Sequence, residues 1–365
     1  MTHDVVVAGA SFAGLAVVQA VQGRALVVDP RPLGEGQTSA CGAPLSVVER
    51  AGAAGAVQQV HRLLVLHTRR RTFVWELQEP FCTFDYRAFC RLAWQRVQAE
   101  LVSAQARSFD GTWVHTSAGR FGAEVAVDCT GWRARLAGSA PGTERRRGAR
   151  WKWFGIETEI PAAFESGLHF YFWPELVEDG YAWAFPCGEV VRFGVLSYRG
   201  RTRLQDPLHR FLAYFAVQPR GYHGGFLGVG PGWPGEGRLF VVGDSGGHCL
   251  PLTGEGIRSS LHAGWLVGGL VSEVLAGRIS LQEAHRRYRQ YLRAQGPTVA
   301  FLAAATGVFA RLPPALLERV VAACSIPAVR RAFLRHYLAT FPPGEVCHHP
   351  AAGTGQHPGR VMPSR

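Results

Sequence analysis

The sequence predicts an α/β fold in which a parallel nucleotide-binding sheet is interrupted by an inserted antiparallel sheet and followed by a helical C-terminal region. Three observations predict it. Residues 4–8 (DVVVA) form a short β-branched run that leads through a glycine-rich turn into a helical stretch, 15–22, and a second apolar run, 25–28. That is a βαβ unit in about the 30 residues such a unit takes. Far down the chain a similar buried run, 238–242 (RLFVV), stops at Gly243-Asp244 and is followed by a long helical pattern from 254 to about 275. Between them, residues 151–198 are rich in aromatic and β-branched side chains broken by glycine and proline, which suits an antiparallel sheet.

Composition sets the outer limits. The chain has 365 residues, 47% apolar and 18% charged, which suits two intertwined domains or one large domain with a cap, with a substantial core. Its formal charge is +12, and Lys152 is the only lysine, so nearly all of the positive charge is arginine. Such a surface attracts an acidic electron-transfer protein or an anionic membrane. The arginines are scattered and not interleaved with aromatics in one stripe, which argues against nucleic acid. The eight cysteines include no CxxC pair. With no secretion signal visible, free thiols in a reducing cytoplasm are expected. No segment reaches the roughly 18 uninterrupted apolar residues of a membrane span, although residues 299–310 can lie on a membrane surface.

The remaining elements follow in order. Residues 63–77 alternate loosely around Arg69, Arg70 and Arg71 and read as a hairpin with a charged tip. Residues 85–101 have helical periodicity, and 124–127 form a strand running into Asp128-Cys129-Thr130-Gly131. Helices dominate from 281 to 338, with breaks expected at Pro297, Pro313-Pro314 and Pro327. The expected domains are a nucleotide-binding part over 1–150 with a substrate-domain hairpin near 60–80, and an antiparallel substrate-binding part over 151–235. A second nucleotide-binding part then covers 236–280 and a helical cap 281–341. The Gly-, Pro- and His-rich tail, 342–365, is expected to be disordered. Its Cys347, His348, His349 and His357 match no closed zinc spacing, so no metal site is expected.

Two motifs carry chemistry. In Gly9-Ala10-Ser11-Phe12-Ala13-Gly14, the first glycine permits a tight turn and the last lets the helix pack close to the sheet. The helix N–H groups then hold a pyrophosphate. Ser11 replaces the usual middle glycine; its side chain crowds the phosphates, while its hydroxyl can donate to them. Asp29, at the end of the second strand, is placed for the adenosine ribose. The second motif is Gly243-Asp244 with Pro251-Leu252-Thr253-Gly254-Glu255-Gly256-Ile257, an aspartate at a strand end followed by a glycine-rich helix start. One long dinucleotide explains both.

With VDCTGW in the middle of the chain, these motifs resemble the three FAD fingerprints of the glutathione-reductase type 2 flavoproteins. That superfamily includes para-hydroxybenzoate hydroxylase, flavin-dependent halogenases and geranylgeranyl reductases. The resemblance spans roughly residues 4–275. It implies a three-layer FAD-binding domain. Gly9, Ser11, Phe12, Ala13 and Gly14 would lie at the pyrophosphate, with Asp29 and Arg31 at the adenosine end. Thr130 and Gly131 belong to the middle fingerprint. Asp244 would lie near the ribityl chain or pyrophosphate, and Pro251, Gly254, Gly256 and Ile257 near the flavin ring. Arg87, in DYRAF, matches the family arginine that begins a helix and reaches the cofactor.

Two features resemble the geranylgeranyl reductase branch. Gly180 to Pro186 (GYAWAFP) is similar to its YxWxFP signature, and Tyr181, Trp183 and Phe185 at strand spacing would share a face and bound an apolar substrate pocket. The plainer reading is that the rings pack the sheet core. Ala40-Cys41-Gly42-Ala43-Pro44 resembles the cysteine-glycine loop beside the flavin, so Cys41 and Gly42 are cofactor-side candidates; Cys41 can equally be a buried structural thiol. Cys41 and Tyr181 are the candidate catalytic residues, as proton donors. The resemblance implies FAD-dependent reduction of carbon–carbon double bonds in an apolar, isoprenoid-type substrate, with NAD(P)H or an acidic electron-transfer protein as reductant. A class A monooxygenase acting on an aromatic or polyketide-like substrate is the alternative, followed by a non-catalytic flavin-binding protein. Halogenation is disfavoured because those enzymes need a lysine, which the arginines at 69–71 do not replace.

Overall fold

The computed structural model describes residues 2–139 and 151–341. The expected disordered tail and its cysteine and histidines lie outside the described residues, as does the 150/151 domain boundary.

The chain opens with β1 (Thr2–Ala8), α1 (Phe12–Ala20) and β2 (Ala25–Asp29), the βαβ unit read from sequence. A short β3 (Gly42–Pro44) and α2 (Leu45–Arg50) follow. Next come two long strands, β4 (Val57–His67) and β5 (Thr72–Phe84), which form the arginine-tipped hairpin. Helix α3 (Tyr86–Trp94) begins at Asp85, whose carboxylate caps the Ala88 N–H at 2.6 Å. The helical periodicity read over 85–101 overshoots: the chain turns and Ala99–Ser103 becomes β6, a parallel partner of β2. A long-range ladder overrides local periodicity there. Strands β7 (Ala106–Phe109), β8 (Trp113–Thr116) and β9 (Gly119–Asp128) form a meander whose last strand pairs parallel with β1.

After the undescribed segment come β10 (Trp151–Pro161), β11 (Leu168–Tyr171), β12 (Gly180–Cys187) and β13 (Val190–Ser197). Helix α4 (Gln205–Tyr214), β14 (His223–Val229), β15 (Gly235–Glu236) and β16 (Leu239–Val241) complete the strands. Helices α5 (Ile257–Leu275), α6 (Leu281–Phe309), α7 (Pro314–Cys324) and α8 (Pro327–Ala339) close the described chain. The break expected at Pro297 is absent and α6 runs through it. Gly296 precedes the proline, so the usual clash between a side chain and the proline ring does not arise, and buried Leu292 and Leu302 on either side hold the helix. Pro314 and Pro327 sit in the first turns of α7 and α8, where a missing N–H costs nothing.

Two sheets result. The first has the order β15-β16-β9-β1-β2-β6, parallel from β16 to β6, with β7 and β8 attached beside β9. Its central strands β1 and β2 are nearly continuous buried aliphatics, and α1 and α5 lie on one face. The second has the order β14-β10-β13-β12-β11-β4-β5-β3 and is antiparallel except where β11 joins β4. The early hairpin thus belongs to the inserted sheet. Strand order in the first sheet reverses at β1, between β2 and β9, and ligands bind open α/β sheets in the crevice at such a point.

Candidate functional site

The site begins where β1 ends. Gly9 has φ +109°, and a Cβ on it would stand 2.2 Å from the Cys129 carbonyl oxygen. A Cβ on Gly14 would stand 1.9 Å from the carbonyl of Gly9. Only glycine lets the β1 exit, the first turn of α1 and the β9 exit meet this closely. Ser11 precedes α1 without capping it, and its hydroxyl accepts a hydrogen bond from Tyr86 Oη at 3.0 Å. The first-turn N–H groups therefore have no side-chain partner, and Ser11 keeps its own proton to donate. This is a cradle for an anion. Asp29 is buried at the end of β2; its two oxygens accept from the Ala10 and Arg31 N–H groups, each at 2.9 Å, which fixes its carboxylate beside that cradle.

From this cradle a cavity of about 1230 Å³ runs along the sheet crevice and under the second sheet. That exceeds the 300–1,000 Å³ of an ordinary small-molecule pocket and leaves room for a long cofactor with a substrate. The residues expected from the resemblance at the cofactor, the substrate or the catalytic step all border it, except Gly14, Pro251 and Arg87. Arg87, expected from the resemblance at the cofactor, stands outside the cavity lining. Helix α3 buries Tyr86, Phe89, Cys90 and Ala93, which turns Arg87 to the solvent face, where it pairs with Glu35 at 2.6 Å. Arg133 and Arg135 border the cavity instead.

Asp244 follows β16 and is half-buried on the cavity wall; its Oδ2 accepts from the Gly228 N–H at 3.1 Å. Burial pushes its carboxyl up to about 6, and the Gly228 hydrogen bond pulls the other way. The next loop is held from the inserted sheet: Tyr181 donates to the Thr253 carbonyl at 2.6 Å and Tyr198 to the Leu252 carbonyl at 2.9 Å. Tyr181, expected as a proton donor, thus spends its proton clamping the glycine-rich loop, and burial pushes its phenol well up.

Cys41 is fully buried in a left-handed conformation, φ 53°, with burial pushing its thiol well up, so it stays protonated. Its loop rests on Arg192, an unforeseen residue. This arginine is 1% exposed and donates to the Ala40 and Phe84 carbonyls at 3.1 and 3.0 Å, to Gln58 Oε1 at 2.9 Å and to Glu159 Oε2 at 3.0 Å.

A second unforeseen feature crosses four neighbouring strands in register: His223, Glu157, Gly194 and Trp183. A Cβ on Gly194 would lie 2.0 Å from the Trp183 ring, so the indole lies across the glycine and its Nε1–H reaches Glu157 Oε2 at 3.0 Å. The other Glu157 oxygen meets His223 Nε2 at 2.6 Å. Glu157 and Trp183 both border the cavity. Beside this polar row the wall is aromatic: Phe170 packs on Tyr181 at 5.5 Å and on Phe185 at 5.1 Å between ring centroids. The three rings of the GYAWAFP run therefore pack the sheet and line the cavity at once.

Asp128 ties the two halves of the nucleotide layer together. Fully buried, it accepts from Thr130, Leu136, Ala137 and Ser245 at 2.7 to 3.1 Å, linking the β9 exit to the segment after β16. The carboxylate is satisfied by the protein itself, a structural role that the sequence did not signal.

No family model matches the chain. Among curated proteins it is similar to digeranylgeranylglycerophospholipid reductases. It is 29% identical over 140 residues to that of Methanococcus vannielii, covering 36% of each chain. To that of Methanosarcina acetivorans it is 28% identical over 191 residues, 44% of this chain and 45% of the relative. The matched segments thus span less than half of those relatives. Among solved structures, a geranylgeranyl bacteriochlorophyll reductase-like protein from Thermoplasma acidophilum superposes with a TM-score of 0.78 at 16% identity, over 94% of this chain and 97% of that one. The flavin-dependent brominase Bmp2 gives 0.72 at 14% identity, over 92% and 93%. PqsL from Pseudomonas aeruginosa, described as a probable FAD-dependent monooxygenase, gives 0.66 at 14% identity, over 88% and 100%. These likenesses establish the fold.

Proposed function

We propose that the protein is an FAD-dependent oxidoreductase that reduces carbon–carbon double bonds of an apolar, isoprenoid-type chain. The observation that carries this reading is one continuous cavity with an anion cradle at one end and an aromatic chamber at the other. The residues fit FAD: the uncapped start of α1 with Ser11 for the pyrophosphate, Asp29 for the adenosine ribose, Asp244 for the ribityl region, and Gly254 to Ile257 beside the ring. Bound FAD, once reduced, supplies hydride for the double bond. The protein holds the glycine-rich loop with Tyr181 and Tyr198, keeps water from the chamber with Phe170, Phe185 and Trp183, and retains a proton on the buried Cys41 thiol. The names of the sequence relatives, reductases of a geranylgeranyl lipid, support this substrate class.

The electron donor is NAD(P)H or an acidic electron-transfer protein. Halogenation is disfavoured further by the placement of Lys152, which stacks on Trp132 at 4.8 Å from the ring centroid. The test is to purify the protein, record the flavin spectrum and assay the reduced form anaerobically with prenyl lipids. Yellow protein and saturated product are expected. A preparation that takes up no FAD overturns the reading, and NAD(P)H-dependent oxygen uptake with a hydroxylated aromatic product selects the monooxygenase alternative.

A further inference from the structure

The aromatic chamber opens to solvent between α6 and α8. Phe301 and Ala305 on α6 and Val329 and Ala332 on α8 border the cavity, yet Phe301 is 58% exposed and Val329 45% exposed. A side chain that is both cavity wall and open to solvent marks the mouth. One edge of this slit is tied by Thr298 Oγ1 and His336 Nε2 at 2.9 Å; its lips are otherwise apolar. The same helices expose further apolar residues with helical spacing. On α6 these are Phe301, Ala304 and Val308, ending at Arg311; on α7, which joins α6 to α8, they are Leu316 and Ala323, with Arg319 between them, leading to Ile326. Residues at i, i+3 and i+7 share a helix face. Five large apolar side chains exposed on the helices around a cavity mouth, Phe301, Val308, Leu316, Ile326 and Val329, mark a surface on which something docks.

Charge says what docks. Residues 281–341 carry nine arginines and two glutamates, with no lysine or aspartate. Glu283 is taken by Arg286 and Arg287, and Glu318 faces inward to Thr68. Arg311, Arg319, Arg331 and Arg335 are exposed and make no ion pair with a described carboxylate. Apolar side chains flanked by unpaired arginines suit the interface of an anionic bilayer, with rings and aliphatics in the acyl boundary and guanidinium groups at the phosphates. No helix among the described residues is long and apolar enough to cross a membrane, so the contact is peripheral.

We infer that the α6–α8 slit is a lateral portal and that α6, α7 and α8 seat it on an anionic lipid surface, so that an apolar chain passes from the bilayer to the aromatic chamber while its headgroup stays outside. This rests on reading the chamber as a site for an apolar chain. The test is co-sedimentation of the full-length, FAD-loaded protein with vesicles of phosphatidylcholine alone or mixed with phosphatidylglycerol. Preferential binding to the mixed vesicles, weakened by salt, is expected. The triple variant Arg319→Glu, Arg331→Glu, Arg335→Glu should bind the mixed vesicles about a hundredfold more weakly, from about fivefold for each arginine lost. The double variant Phe301→Asp, Val329→Asp should lose binding to both. All five positions are exposed, and unchanged flavin content and melting temperature certify the fold. Equal partitioning to both vesicles, or binding unmoved by either variant, overturns the proposal. So does a dimer in solution that Phe301→Asp, Val329→Asp dissociates, because the slit then meets a second copy. Failure of FAD uptake strikes the proposed function instead, and is read separately from the flavin spectrum.

Discussion

At the residue scale, the site depends on atoms that are missing as much as on those present. A methyl on Gly14 has nowhere to go but into the Gly9 carbonyl. Gly14→Ala is therefore expected to shift α1 off its cradle and reduce retained flavin at least tenfold, measured by absorbance after gel filtration. Asp244 makes the opposite trade. Its folded pKa, about 6, lies above the roughly 3.9 of an unfolded aspartate, so its protonated form is favoured in the fold. The stability it contributes is present below about pH 4 and lost as pH rises through 6. Asp244→Asn keeps an oxygen for Gly228 and removes the half-buried charge. The flavin-free variant is expected to exceed the flavin-free wild type by about 2–3 kcal/mol at pH 8 and by little at pH 4, while binding FAD more weakly. Thermal melts at the two pH values check it. The glycines and Asp244 were legible in sequence because motif spacing encodes them. Arg192 and Glu157 were not, because a charge inside a strand acquires meaning only from the strands beside it.

At the element scale, loops carry the candidate site and charged or phenolic side chains pin them from neighbouring elements. Arg192 on β13 is the clearest pin, since it supports both the 39–42 loop and the β5 exit. Arg192→Met leaves two carbonyls, Gln58 and Glu159 without their donor. It should cost about 2–4 kcal/mol, chiefly from the Ala40 and Phe84 carbonyls left without a donor, since Glu159 is half-exposed. A thiol reagent should then label Cys41, which the wild type shields; unchanged labelling refutes the pinning role. On the other side of the cavity, Arg258 on α5 pairs with Glu255 at 2.7 Å and donates to the Leu338 carbonyl of α8 at 3.1 Å. The glycine-rich loop is thereby latched to the helical cap. Helix ends were the least legible elements: β6 took residues assigned to a helix, and α6 ran through Pro297, in each case because tertiary contacts outweighed a local preference.

At the scale of the whole molecule, the cavity joins the two sheets and the cap, so a ligand filling it reports on all three. FAD that binds only the folded chain stabilises it by RT ln(1 + [L]/Kd), about 2.7 kcal/mol at a hundredfold excess over Kd. A single cooperative melt that moves up with added FAD is expected by scanning calorimetry. Two transitions, of which only one responds, would show that the inserted sheet and cap unfold independently of the nucleotide layer.

The sequence alone determined the βαβ start, the second strand-and-glycine motif and the aromatic run, because each is written in local spacing: a period of two in strands, glycines where a backbone must pass close, an aspartate at a strand end. Tertiary structure decided which of these meet. It turned Arg87 to solvent, set Trp183 across Gly194 onto Glu157, gave the Tyr181 proton to Thr253 and opened the chamber between α6 and α8. Those outcomes depend on strand register and helix packing between residues far apart in the chain, and no local pattern encodes them.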